Sequence, residues 1–465
     1  MRKYPHQVSG GQLQRLMAIM AMNASPDLLV LGEPTTALDV TTQLEVLAAF
    51  KDTIRDSGAA AIYVTHDLAV VAQIADRICV LLDGEIIEAG STEQILHQPQ
   101  QDYTRELMAA VRPPPRGDDD ITAGNMKDSV SAVSVQSVNA GYGRKLGGGM
   151  GVQILHDISI EVPRGTTVGV IGESGCGKST LARVMAGLLP AASGKVVLSG
   201  ETLAGDVKAR TREQLRRVQI VMQMPDVSFN PRKSIGHALE RPLEFYFDMP
   251  AAQRRQRVAE LLQKVELLPE FAGRRPQALS GGQKQRVNLA RALAAEPEVI
   301  LCDEVTSALD TVVGAQIIEL LTRLQQETST SFVFISHDLS TVASFADRVV
   351  VLYAGRVVEQ GPTPHVLSPP FHPYTSLLLH SVPEIRQGWL EQIRATDTAQ
   401  LAAASVVEIG ATGCPFHKRC PVAIAGTCDT EKPPLQTGAE EHVISCHHSL
   451  ATLMQQDAQA SAVNA

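Results

Sequence analysis

No apolar run in the 465-residue chain approaches the ~18 residues that a membrane-crossing helix needs. The opening stretch Met1-Arg2-Lys3-Tyr4-Pro5-His6-Gln7 has none of the apolar core that a secretory signal carries. Basic charge is not in surplus either. The 41 Lys and Arg residues stand against 50 Asp and Glu, a net charge of −9, which argues against a partner held mainly through phosphate contacts, nucleic acid above all. No Cys-x2-Cys pair occurs, so the spacing common in zinc sites is missing. What is left is a chain of ordinary globular composition, 44% hydrophobic and 20% charged, with room for two or three domains and a cytoplasmic location as the expectation. Cys79, Cys176 and Cys302 read as small buried hydrophobes.

The chain repeats itself at one constant offset. Ser9-Gly10-Gly11-Gln12 recurs as Ser280-Gly281-Gly282-Gln283 (280 − 9 = 271), and Asp39, His66, Gly84 and Tyr103 recur at the same spacing as Asp310, His337, Gly355 and Tyr374. Chance does not keep ungapped register over so many unusual residues. The second copy has a front part that the first lacks, so the expectation is a truncated member of a longer tandem protein. Five segments follow: 1–110, the later part of a first copy; 111–132, a linker around Val111-Arg112-Pro113-Pro114-Pro115-Arg116-Gly117-Asp118-Asp119-Asp120; 133–383, a complete second copy; 384–450, an extension; and 451–465, a disordered tail.

The second copy carries phosphate chemistry. Val168-Gly169-Val170-Ile171 reads as a buried strand and runs into Gly172-Glu173-Ser174-Gly175-Cys176-Gly177-Lys178-Ser179-Thr180, followed by a helical pattern. That is G-x-x-x-x-G-K-S in its strand–loop–helix context. Glycines let backbone N–H groups turn inward around phosphate oxygens, Lys178 supplies charge for the β- and γ-phosphates, and the Ser179 hydroxyl can ligate magnesium. A second apolar strand, Val299-Ile300-Leu301-Cys302, ends in Asp303-Glu304: one carboxylate for the magnesium shell, the next to polarise water. A third, Phe332 to Ser336, ends at His337. At the position of Asp303 the first copy has Gly32, which cannot hold a metal's water, and residues 1–110 contain no phosphate loop.

These motifs alone specify a P-loop ATPase. Leu279-Ser280-Gly281-Gly282-Gln283-Lys284-Gln285-Arg286 resembles the signature of ABC ATPases, and the order of P-loop, Gln223, signature, Asp303-Glu304, Ser307-Ala308-Leu309-Asp310 and His337 is also theirs. The resemblance implies ATP and Mg2+ as cofactors, Gln223 as a sensor of the metal and of the transporter, His337 beside the catalytic Glu304, and Tyr142 stacked on adenine. It implies that Ser280, Gly281, Gly282 and Gln283, or Ser9, Gly10 and Gly11, reach across a dimer interface to a partner's γ-phosphate. The fold class implied is α/β: a P-loop sheet with a helical subdomain around 233–290 and an antiparallel strand layer near the start of the cassette.

Within that family, Pro225 to Arg232, the segment Ser368-Pro369-Pro370-Phe371-His372-Pro373-Tyr374-Thr375 and the tail Cys414-Pro415-Phe416-His417-Lys418-Arg419-Cys420-Pro421 resemble the dipeptide, oligopeptide, nickel and glutathione importer ATPases. Met224 and Phe229 depart from the pattern. The resemblance implies an importer subunit peripheral on the inner face of the plasma membrane, beneath separate permease subunits, with a separate solute-binding protein. The competing readings are a soluble tandem ATPase acting on ribosomes or DNA and an uncoupled fragment. Cys414, Cys420, Cys428 and Cys446 imply an iron–sulfur cluster, with zinc as the alternative. Because the first copy lacks its central strands, residues 1–110 are expected to be unstable unless docked, and the working unit to be an ATPase dimer, either a homodimer of second copies or a pairing with another ATPase subunit.

Overall fold

The computed structural model describes residues 4, 10–35, 38–111, 131–144, 150–394 and 412–464. Apart from residues 111, 131 and 132, the expected linker lies outside them, as does Ser9. Strands are numbered in chain order: β1 Leu28–Gly32, β2 Ala60–Val64, β3 Arg77–Leu82, β4 Glu85–Ser91, β5 Ser131–Arg144, β6 Met150–Pro163, β7 Thr167–Ile171, β8 Ser193–Leu198, β9 Glu201–Thr202, β10 Val218–Val221, β11 Val299–Asp303, β12 Ser331–Ile335, β13 Arg348–Tyr353, β14 Arg356–Pro362, β15 Leu435–Thr437 and β16 Val443–Ser445.

The second copy is built on an eight-stranded sheet of order β10-β11-β12-β7-β13-β14-β16-β15. From β10 to β13 neighbouring strands are parallel; β14, β16 and β15 are added antiparallel. Strands β7, β11 and β12 are buried along their whole length, as continuous apolar runs in a doubly covered parallel sheet must be. An antiparallel sheet of order β6-β5-β8-β9 forms the second layer. The helices Ile235–Phe247, Ala251–Lys264 and Gly281–Leu293 make the helical subdomain. In the second of these Val258, Leu261 and Leu262 face the core, the stripe its 3.6-residue period requires. The α/β expectation, with both accessory parts, holds.

One expectation differs, that of the tail. Within the extension expected over 384–450, β15 and β16 join the main sheet through Glu359↔Ile444 and Gln360↔Val443. The tail expected to be disordered over 451–465 is helical across Leu450–Asn464. Leu453 is buried beside Ile444 and Cys446, and Asp457 accepts the Phe371 N–H at 2.9 Å. One buried apolar contact and one hydrogen bond from a partly buried carboxylate tie down a segment whose composition alone gives little direction.

The first copy repeats the second strand for strand: β1, β2, β3 and β4 fall at the positions of β11, β12, β13 and β14. In the second copy β7 bonds to both β12 and β13. Among the described residues the first copy has no counterpart of β7, and its strands form two separate pairs, β1-β2 and β3-β4. One face therefore stays bare. Leu28, Val30, Ile62 and Val64 are 51%, 62%, 50% and 53% exposed, whereas their equivalents Val299, Leu301, Val333 and Ile335 are at 0%.

This copy is docked through residues 384–394. Gln73 Nε2 donates to the carbonyls of Glu384 (2.6 Å) and Arg386 (2.9 Å), and its Oε1 accepts the Leu390 N–H. Arg394 pairs with Asp52 through two bonds, and Trp389, Leu390 and Ile393 pack on Leu44, Leu47 and Val70. Trp389→Ala is expected to remove about 3–5 kcal/mol of packing at this junction. Hydrogen exchange checks it: amides of 44–74 should lose protection while those of β11 and β12 keep theirs, and equal loss in both regions would contradict the docking role.

Candidate nucleotide site

The phosphate loop leaves β7 and enters the helix Lys178–Met185. Gly172 has φ 145°, and a Cβ there would stand 2.2 Å from the Leu352 carbonyl oxygen, so any side chain would push the loop off β13. Lys178 Nζ is buried and donates to the carbonyls of Gly172 (2.6 Å) and Glu173 (3.0 Å), which holds the ammonium over the loop's mouth. Ser179 Oγ donates to Asp303 at 2.9 Å. Burial, and then the neighbouring Glu304 charge, raise the Asp303 carboxyl above its ordinary range, against the Ser179 bond. A cation placed between Ser179 and Asp303 would reverse that cost.

Glu304 follows with φ 51°, its N–H on the Ile335 carbonyl. Glu304 Oε2 accepts from Gln223 Nε2 at 2.7 Å and lies 3.8 Å from His337 Nδ1. The His337 contact holds the Glu304 pKa below the ordinary carboxylate value despite burial. Burial pushes His337 down, but the Glu304 and Asp338 carboxylates outweigh it and the net shift is upward. Gln223 also reaches Ser307 at 3.3 Å. Tyr142 is partly exposed, with its hydroxyl 3.3 Å from Thr180 Oγ1 and accepting from Arg183 at 3.0 Å, so its ring stands beside the P-loop helix.

Gly172 to Thr180, Gln223, Asp303, Glu304, His337 and Tyr142 thus converge. Ser280 to Gln283 do not join them. Ser280 caps the helix Gly281–Leu293 in a reciprocal box with Gln283, and its exposed N-terminus belongs to the helical subdomain. The first copy repeats part of the geometry with its His66–Glu33 pair at 3.3 Å, but has Gly32 where the second copy has Asp303.

Three residues that contact the loop were missed by sequence reasoning. Thr41 of the first copy has its hydroxyl 2.6 Å from Glu173 Oε1. Tyr374 Oη accepts the Glu173 N–H at 2.7 Å. Arg419 makes two bonds, 2.7 and 2.9 Å, to the Glu173 carboxylate. The motifs holding Tyr374 and Arg419 were visible, but neither carries a mark of proximity to a loop some 200 residues earlier.

All seven cysteines are free thiols. Burial pushes Cys414 up to about 11 and Cys420 up to about 12, with smaller contributions from neighbouring tail sulfurs. Among the described residues no group of three or more His, Cys, Asp or Glu is placed to hold a metal ion, so the expected iron–sulfur or zinc centre gains no support from the geometry. No helix among them is long and apolar enough to cross a membrane.

Fold and site together define a P-loop nucleotide-binding protein with a signature helix. Residues 155–307 match the family described as ABC transporter, and residues 87–136 and 358–428 match the oligopeptide/dipeptide transporter C-terminal region. Glutathione import ATP-binding proteins GsiA of Escherichia coli and Shigella boydii are each 38% identical over 405 residues, 82% of this chain and 65% of theirs. The chain thus spans slightly less than two thirds of these relatives' length. A solved subunit of an ABC transporter complex from Clostridium perfringens is 27% identical, with TM-score 0.45 over 50% of this chain and 89% of that one. A dimeric bacterial ABC transporter cassette is 31% identical, with TM-score 0.44 over 50% and 98%.

The contacts of Glu304 with Gln223 and His337 are compatible with a base at this position. Glu304→Gln keeps the Gln223 contact but not the basicity, so ATP turnover should fall about 10²-fold or more while ATP still binds. Steady-state hydrolysis and nucleotide binding on the same preparation check this, and near-normal turnover would move the role elsewhere.

Proposed function

We propose that the chain is the ATP-binding and ATP-hydrolysing subunit of an ABC importer for peptides or related small solutes such as glutathione. One observation carries the reading: a convergent P-loop site and a peptide-importer type C-terminal region occur in the same chain. Lys178 faces the β- and γ-phosphates, Ser179 and Gln223 are the residues that would hold Mg2+, and Asp303 would hold its water. The metal supplies charge neutralisation at the transferring phosphoryl group. Glu304 takes a proton from the attacking water, with Gln223 and His337 fixing its carboxylate, and Tyr142 offers its ring to adenine.

Permease subunits, a separate solute-binding protein and a place on the inner face of the plasma membrane belong to the same reading. A tandem ATPase acting on ribosomes or DNA gains nothing from the peptide-importer tail or the acidic balance.

Contacts between the copies bear on which signature serves the site. Asp39, Val40 and Thr41 lie against Gly172, Glu173 and His337, and in the reverse direction Thr311 donates to the His66 carbonyl at 2.8 Å. The same pair of loops thus meets in both directions, as in a two-fold pair within one chain. This supports the first copy as the partner, in place of a homodimer of second copies. The tail thiols are a separate, finer question, supported only by four free cysteines of which three are buried. Iron and sulfide in anaerobically purified protein would favour a cluster, zinc alone a zinc site, and neither would retire both.

Lys178→Ala should weaken ATP binding about tenfold or more by removing the charge on the phosphates. In the wild type, specific ATPase activity should be independent of protein concentration. Unchanged affinity in the variant refutes the P-loop assignment, and activity rising with concentration refutes the intrachain pairing.

A further inference from the structure

Glu173 lies within the phosphate loop itself. It puts a carboxylate into the wall of a loop whose task is to receive phosphates, next to the lysine that must meet them. Lys178 Nζ already lies 3.0 Å from the Glu173 carbonyl. A free carboxylate on the same residue would compete with phosphate for that ammonium and would repel the phosphate as well.

The C-terminal extension removes the conflict. Arg419 makes a parallel two-bond pair with Glu173, at 2.7 Å to Oε2 and 2.9 Å to Oε1, and both side chains are almost wholly buried (2% and 9% exposed). Tyr374 fixes the backbone of the same residue by accepting its N–H, and the Thr41 hydroxyl takes up Oε1. Arg419 is itself held by rings: its guanidinium carbon is 5.6 Å from the Phe416 centroid and 5.8 Å from that of Tyr353. Tyr353, Tyr374 and Phe416 pack mutually, with centroids 4.6 to 5.4 Å apart. Every part of this clamp except Thr41 and Tyr353 comes from residues beyond β14.

We propose that Arg419 is a positioning residue for ATP binding: its buried bidentate pair with Glu173 keeps that carboxylate off Lys178, so that the C-terminal extension is a required part of the phosphate site. The inference rests on the ATP-binding reading of the P-loop. It concerns what a buried ion pair does when broken: an uncompensated carboxylate is drawn to a cation close by, and Lys178, whose Nζ is 3.0 Å from the Glu173 carbonyl, is such a cation.

The test uses the full chain and Mg-ATP. Arg419→Ala should raise the ATP Kd about tenfold or more. Arg419→Ala combined with Glu173→Gln should return it to within about threefold of wild type, because the stranded charge is gone. A merely structural arginine would show no such rescue. Should Arg419→Ala fail to fold, Arg419→Lys serves: it keeps the charge but loses the parallel bonds, so Kd should rise a few fold and fall back in the Glu173→Gln background. A double variant as weak as the single one, or single variants with wild-type Kd, overturns the proposal and leaves the P-loop reading standing. A wild-type chain that binds no ATP takes both readings down.

Discussion

The nucleotide site depends on how closely backbone can approach backbone around the phosphate loop. Gly172 lies against the Leu352 carbonyl of β13, and a Cβ on Gly355, at the β13–β14 turn, would stand 1.7 Å from the Ile154 carbonyl of β6. The Gly355 N–H donates to the Cys176 carbonyl in the loop itself, and its carbonyl accepts from His156. The loop is therefore stitched to both layers of the second copy by main-chain bonds. Only then do Lys178, Ser179 and Asp303 come within a few ångströms of one another. Side-chain chemistry here is a consequence of glycine placement.

The first copy shows the converse. It keeps the strands that flank the phosphate loop but has no described strand between them, and its sheet falls into two pairs with one apolar face open. What orders it is contact with the rest of the chain: the 384–394 segment on one side, and Asp39 to Thr41 against the second copy's loop on the other. A segment unable to close its own core has become part of another core's rim.

Much of this was legible in sequence because local patterns fixed it. The run Val168 to Ile171 followed by glycines and Lys178, the strand ending in Asp303-Glu304, and the constant repeat offset all encode neighbours in the chain. The strand-for-strand match of β1–β4 to β11–β14 follows from that offset. Long-range pairings were not legible. Nothing near Arg419 announces Glu173, and the short strands β15 and β16, three residues each, have too little pattern to be seen as an extension of a sheet 80 residues earlier. The final helix was missed because its small polar residues carry a weak apolar stripe, and its order comes from Leu453 and Asp457 meeting partners elsewhere. The cysteine spacing, read as a metal centre, gives three buried thiols and the partly buried Cys420 without a metal-holding arrangement among the described residues.

The central claim is that one chain carries one nucleotide site, made in the second copy and finished by the first copy and the C-terminal extension. Equilibrium dialysis of labelled Mg-ATP against the full-length chain measures it directly. The account predicts saturation at one ATP per chain. Saturation at two, or no binding at all, would contradict it.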